Sequence, residues 1–303
     1  MDNVILRVSG LTKTYGDKTA LNGVSFTVEK GKIYGFIGEN GAGKTTAIRA
    51  VTGLTYANDG DIELFGQSSR EGIEKARRKM GCMVERPILS LGRTAFENLK
   101  MQQLLYGQND DERIEQLLKR VGLGNVMHKK AKDFSLGMKQ RLGIAQALIN
   151  SPELLILDEP VNGLDPMGMV DVRNLLRSLC EDDGITIVIS SHILAELYQL
   201  VTDYIIISHG RIVECLSKKE LDEKCSSYIL VETPQPDEAM RILTENGIGA
   251  IERSGSELKI SDDVPNGDIA KMLFGGRILV TRLEKKENTL ENYYMELLGR
   301  TQK

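Results

Sequence analysis

Gly38-Glu39-Asn40-Gly41-Ala42-Gly43-Lys44-Thr45 is the stretch that decides the fold. It fits G-x-x-x-x-G-K-[ST] and lies between an apolar β-branched run, Ile33–Ile37, and a helical pattern over residues 45–51. The glycines let the backbone wrap a triphosphate with its N–H groups turned inward. The helix that begins near Lys44 points its positive dipole end at the same anion. Lys44 then reaches the β- and γ-phosphates, and the Thr45 hydroxyl is placed to ligate Mg²⁺. Thr46 continues the polar lining. Strand, loop and helix in this order predict a nucleotide cradle.

Outward from the loop, short β-branched runs alternate with helical stretches. Residues 24–28 and 61–64 read as strands, and 94–106 and 112–121 as helices. Leu142, Ala145, Leu148 and Ile149 give the next helix one apolar face. Residues 154–157 and 185–189 are nearly all apolar, and strands apolar on both faces imply a buried, mainly parallel sheet covered by helices. The fold class is therefore α/β, a P-loop-type core over residues 1–216 with a helical part at about 86–150. After Gly210 the pattern changes. Residues 217–224 read as a charged helix and Tyr228–Glu232 as a strand. Helix (237–245), hairpin (250–260), helix (268–274), strand (278–283) and a last helix (289–298) follow. That order predicts a small ferredoxin-like α+β domain over residues 217–303.

Composition bounds the possibilities. A chain of 303 residues suggests about two domains, and 41% hydrophobic with 27% charged residues excludes a disordered or fibrous chain. With 39 basic against 43 acidic residues and no basic tail, nucleic acid is not an expected partner. No run approaches the roughly 18 apolar residues of a membrane span, and MDNVILRVSG reads as a strand rather than a signal peptide. The expected place is the cytosol unless a partner holds the chain at a membrane. Cys82, Cys180, Cys215 and Cys225 form no CxxC pair and read as reduced structural thiols.

Leu154-Leu155-Ile156-Leu157-Asp158-Glu159-Pro160 is an apolar strand ending in two acids. Asp158 is placed to hold Mg²⁺, a hard cation that prefers oxygen, directly or through water. Glu159 is then the general base or positioner for the water that attacks the γ-phosphate. Phe134-Ser135-Leu136-Gly137-Met138-Lys139-Gln140-Arg141 precedes an amphipathic helix, and a Ser before a Gly at a helix start offers a second anion cradle.

These segments, followed by Asn162-Gly163-Leu164-Asp165 and by His192 after an apolar strand, occur in an order that resembles the ATP-binding subunit of an ABC transporter over residues 4–215. The resemblance implies ATP and Mg²⁺ as cofactors. It implies that Ser135 and Gly137, with Leu136 and Met138 between and beside them, face the γ-phosphate bound by a second copy of the chain, so that two chains sandwich two ATPs head to tail. Asp165 would lie where the subunits cross, and His192 would contact the γ-phosphate and order the attacking water. Tyr15, in Leu11-Thr12-Lys13-Thr14-Tyr15-Gly16, would stack on adenine; the lesser alternative is a strand-end aromatic.

Three departures from the family pattern stand out. Ser135-Leu136-Gly137-Met138 replaces the common Ser-Gly-Gly-Gln, Val161 replaces a frequent Thr, and Glu85 in Met83-Val84-Glu85-Arg86-Pro87 replaces a Gln. Glu85 still offers oxygen to Mg²⁺ or water but adds negative charge near the γ-phosphate. A Glu there, and the tail Leu290-Glu291-Asn292-Tyr293-Tyr294, resemble the bacterial subgroup that protects cells from bacitracin or lantibiotics. The implied function is an ATPase that closes on ATP, reopens on hydrolysis and drives separate integral membrane permease subunits from the inner face of the membrane. Contact with the permease would run through residues 85–91 and 94–106. The alternative is an ABC-type ATPase working on ribosomes or nucleic acid, which would bring paired nucleotide domains, a long coiled coil or a basic surface.

Overall fold

The computed structural model describes residues 3–225, 227–262, 264–286 and 290–300. They fall into two compact units, Met1–Lys218 and Lys219–Lys303.

The first unit opens with two long strands, β1 (Val4–Tyr15) and β2 (Lys18–Glu29), and continues through β3 (Ile33–Ile37) into the phosphate loop and helix α1 (Lys44–Thr52). Then come β4 (Asp59–Leu64), α2 (Arg70–Ala76) and β5 (Met80–Met83). A helical part follows: α3 (Ala95–Leu105), α4 (Asp111–Arg120) and α5 (Leu136–Leu148). The chain re-enters the sheet with β6 (Leu154–Asp158), α6 (Pro166–Glu181), β7 (Thr186–Ser191), α7 (Leu194–Tyr198), β8 (Asp203–Ser208) and β9 (Arg211–Ser217).

Six of these strands form one sheet in the order β5-β6-β7-β3-β8-β9, parallel throughout except for the last pair. Every residue of β3, β6 and β7 is buried, the condition their apolar sequences call for. The parallel arrangement has one consequence for chemistry. The carboxyl ends of β3, β5, β6 and β7 emerge along a single edge, where open α/β sheets bind ligands. A second, antiparallel sheet, β2-β1-β4, packs Leu6, Val8, Phe26 and Val28 onto one core with Phe36, Ala47 and Ile156. The sequence marked residues 24–28 and 61–64 as strands, but not that they leave the parallel sheet for one of their own.

Helix boundaries follow local chemistry. Thr94 caps α3 in a reciprocal box, its hydroxyl accepting from the Glu97 N–H while the Glu97 carboxylate accepts from the Thr94 N–H at 2.8 Å. Asp110 caps α4, Ser135 caps α5 and Asp165 caps α6. The long α6 buries Val172, Leu175, Leu176 and Leu179.

The second unit begins within α8 (Lys218–Lys224) and runs β10 (Tyr228–Glu232), α9 (Pro236–Glu245), β11 (Ile251–Ser254), β12 (Glu257–Ile260), α10 (Asn266–Gly275), β13 (Arg282–Lys286) and α11 (Leu290–Arg300). Its sheet has the order β11-β12-β10-β13, every pairing antiparallel. Ile229, Val231, Leu258 and Ile260 form its core with Ala239, Leu243, Ile269 and Leu273 of α9 and α10.

One expectation is corrected here. Residues 278–283 read as the last strand because of Ile278 and Val280, yet β13 is Arg282–Lys286. Ile278 is a buried plug in the connection from α10, following Arg277 at φ +57°. The strand itself, Arg-Leu-Glu-Lys-Lys, lies at the sheet edge, where charge discourages pairing with another chain. Thr289, the expected start of the last helix, lies outside the described residues.

Candidate functional site

Gly43 stands at φ +113° before α1, and an added Cβ there would lie 2.7 Å from the Ala20 carbonyl oxygen. Gly38 is equally confined, its virtual Cβ 2.3 Å from the Ile207 carbonyl oxygen. Glycine is therefore required at both ends of the loop by backbone shape and close approach. Helix α1 has no side-chain cap and no acid in its first turn, so its leading N–H groups and dipole remain available to an anion.

A cavity of about 320 Å³ opens at this loop. Of the predicted residues, Tyr15, Asn40, Gly41, Gly43, Lys44, Thr45, Thr46 and Glu159 line it. Lys18 and Asn162 line it too, without having been singled out. Tyr15 ends β1 with its ring half-exposed and the Lys13 ammonium 4.9 Å from the ring centre. Gly38, Glu39 and Ala42 belong to the same loop. The carbonyls of Gly38 and Glu39 accept from Lys44 Nζ at 2.7 and 3.3 Å.

The two acids at the end of β6 have distinct partners. Asp158 is buried, and its Oδ2 accepts from the Thr45 hydroxyl at 2.9 Å. Its other oxygen accepts from Ser190, its register partner on β7. Glu159 turns at φ +50°, and its own N–H is held by the Ser190 hydroxyl at 2.9 Å. The Glu159 carboxylate lies 2.9 Å from His192 Nδ1 and 3.4 Å from Lys44 Nζ. The ends of β3, β6 and β7 thus bring the phosphate lysine, both acids and the histidine together. Ser190 was missed; its only signal was its place two residues before His192.

Thr45 and Asp158 supply two hard oxygens side by side, which fits Mg²⁺. Among the described residues no group of three or more acid, His or Cys side chains forms a self-sufficient metal site. Mg²⁺ is commonly held by one or two carboxylates together with waters and substrate phosphates.

Other predicted residues lie outside the cavity. Glu85 follows β5 at φ +63°, and its carboxylate pairs with Arg49 at 2.6 Å. Ser135 caps α5 by accepting from the Met138 N–H at 3.3 Å, and Leu136 is exposed. A Cβ at Gly137 would meet no clash, its nearest neighbour the Leu164 side chain at 3.7 Å. Asp165 caps α6, accepting from the Gly168 N–H at 2.7 Å. Ser135, Gly137 and Asp165 therefore form a neighbourhood of their own.

Comparison with known proteins agrees with this geometry. Residues 21–162 match the family model described as ABC transporter. The chain is 37% identical to the bacitracin transport ATP-binding protein BcrA of Enterococcus faecalis over 297 residues, covering 97% of this chain and 96% of that protein. It is 43% identical to the lantibiotic transport ATP-binding protein SrtF of Streptococcus pyogenes, covering 75% of this chain and 99% of that one. Among solved structures, cbiO1 of Clostridium perfringens, part of the ABC transporter complex cbiONQ, superimposes with a TM-score of 0.66 at 30% identity, covering 72% of this chain and 90% of that one. The cassette MJ0796, solved as a dimer in a post-hydrolysis state with ADP and phosphate, shares the fold with a TM-score of 0.64 at 24% identity, covering 71% of this chain and 99% of that one. The chain belongs to the ATP-binding subunits of ABC transporters, nucleotide-binding ATPases whose hydrolysis is coupled to transport.

Proposed function

We propose that two copies of this chain close head to tail on two ATPs and drive a permease that exports a peptide antibiotic of the bacitracin or lantibiotic type. The observation that carries the catalytic part is the Glu159 carboxylate held between His192 and Lys44 at the rim of the phosphate cavity. Lys44 and the N–H groups of residues 38–46 bind the β- and γ-phosphates, and Tyr15 stacks on adenine. Thr45 and Asp158 hold Mg²⁺, which when bound neutralises charge on the phosphate oxygens. Glu159 takes the proton of the attacking water or orients it, and His192 fixes the Glu159 carboxylate and reaches the γ-phosphate. Ser135 and Gly137 of each chain contact the γ-phosphate of the other, with Leu136, Met138 and Asp165 at the crossing. Glu85 serves the metal or its water from the loop after β5.

The permease contact is read from exposed apolar residues. Ile88, Leu91, Leu104 and Leu105 are all exposed on the loop and helix after β5. On this reading, which follows the transport ATP-binding proteins the chain resembles, a separate permease supplies the membrane spans and holds the chain at the inner face. The second unit, with its β-α-β-β-α-β order and antiparallel sheet, is read as a ferredoxin-like accessory domain beyond residue 217.

Glu159→Gln tests the base. Turnover should fall by about 10²–10⁴-fold with ATP binding retained, and hydrolysis at the wild-type rate would remove Glu159 from this role. For the cargo, cells expressing the chain with its permease should survive bacitracin or a lantibiotic better than cells carrying the Glu159→Gln form. Equal survival would count against peptide export.

A further inference from the structure

The Arg49–Glu85 pair joins helix α1 to the loop that follows β5. Arg49 sits on α1 one turn beyond Thr45, on a helix fixed in the core by Ala47, Ile48, Ala50 and Val51. Its backbone therefore has a set position relative to the phosphate loop. Glu85 sits on a short bridge pinned at both ends. Met83 is hydrogen-bonded into the sheet opposite Leu157, and Pro87 packs against Gly143 of α5 so closely that a Cβ there would lie 2.5 Å from Pro87. Between these anchors Glu85 adopts φ +63°, a conformation an L-residue keeps only when its surroundings hold it. Among the described residues its carboxylate has one charged partner, Arg49. It does not line the nucleotide cavity.

We infer that Arg49 is a positioning residue: by binding Glu85 at the outer end of α1 it withholds that carboxylate from the nucleotide, and the pair must part before Glu85 can serve the Mg²⁺·ATP site. The inference rests on the reading that Glu85 serves the nucleotide. The charge of Glu85 matters here because it adds the attraction of an ion pair to a hydrogen bond that an uncharged amide could also accept from the guanidinium. The pair is also suited to opening. Both side chains are about half exposed, and an ion pair in that setting shifts a two-state equilibrium by no more than about five-fold. Nucleotide therefore needs only a small preference for the released loop. The same bridge carries the release onward, since it ends against α5, the helix that Ser135 caps.

The test is equilibrium binding of a slowly hydrolysed fluorescent ATP analogue to the full chain, with Mg²⁺ and with EDTA. Arg49→Gln should tighten binding about two- to five-fold with Mg²⁺ and leave it unchanged in EDTA. Arg49→Lys, which keeps the charge, should behave nearly as wild type. In a Glu85→Gln background, Arg49→Gln should have no effect. The inference is overturned if Arg49→Gln tightens binding equally in that background, or if it changes nothing while Glu85→Gln weakens binding with Mg²⁺. If neither substitution alters binding with Mg²⁺, the reading of Glu85 fails, and the role of Arg49 with it. Because both positions are at the surface, thermal unfolding of each variant should match wild type; a lower midpoint for Arg49→Gln that Arg49→Lys does not correct would assign Arg49 a structural role instead.

Discussion

Glu159 holds a left-handed backbone, which costs an L-residue about 1–2 kcal/mol relative to its ordinary conformations. One neighbour holds it there. Ser190, fully buried on β7, accepts the Glu159 N–H and donates to Asp158, so one hydroxyl fixes both acids. Ser190→Ala should therefore do two separable things. It leaves a buried N–H unmatched, lowering stability by about 1–3 kcal/mol in a denaturation experiment. It also loosens Glu159, lowering kcat about tenfold with little change in ATP affinity, a loss of about 1.4 kcal/mol at the transition state. Ser190→Thr keeps the hydroxyl and should recover most of the turnover. If the alanine variant turned over at the wild-type rate, the hydroxyl would be structural only.

At the level of elements, the buried strands depend on ties at their amino ends as well as on the chemistry at their carboxyl ends. Glu153, just before β6, is paired with Lys79 before β5 at 3.0 Å and with Lys30 before β3 at 3.5 Å. Its hydrogen bond to Lys79, reinforced by the charges of both lysines, holds its carboxyl below the ordinary carboxylate value. A carboxyl whose value is depressed by folding stabilises above its unfolded pKa, and that stability is lost as pH falls through the folded value. Glu153→Gln should lower the thermal midpoint modestly at pH 7, since all three side chains are partly exposed. The difference from wild type should shrink and vanish as the pH falls through the lowered Glu153 value. A difference independent of pH would mean that Glu153 acts through packing alone. This scale also shows what a sequence discloses. The buried parallel strands were legible because β3, β6 and β7 are apolar on both faces, and Thr94, Asp110 and Ser135 announce their helices by capping chemistry. β13 was not legible, since an edge strand of charged residues has the composition of a surface loop, while buried Ile278 imitates a strand. Lys44, Asp158 and Glu159 were readable because adjacent residues carry the pattern. Ser190 and Arg49 act on partners 32 and 36 residues away, and no local pattern records such a pairing.

For the whole molecule, the decisive fact is where the half-site at Ser135 lies. The cavity at the phosphate loop is lined from one side, by β1, β2, the loop itself and the end of β6. Ser135 and Gly137 do not line it; they lie together at the start of α5, with the Leu164 side chain at ordinary contact distance from Gly137. On the proposed reading a single chain carries two incomplete anion sites, and two chains placed head to tail would complete both at once. Such a contact would be closed and symmetric, stopping at a dimer instead of growing into a filament. It would also give nucleotide a preference for the closed state, which any ligand that drives a conformational change must have. Gly137→Glu isolates this step. A Cβ at this position meets no clash, and the variant's thermal unfolding and its ATP binding at the chain's own phosphate loop should match the parent. In the dimer it sets a carboxylate against the partner's γ-phosphate. In a Glu159→Gln background, where ATP·Mg²⁺ should hold the chain at twice its monomer mass in light scattering, adding Gly137→Glu should return it to the monomer mass at the same ATP occupancy. A dimer that survives the added charge would show that the chains meet through some other surface.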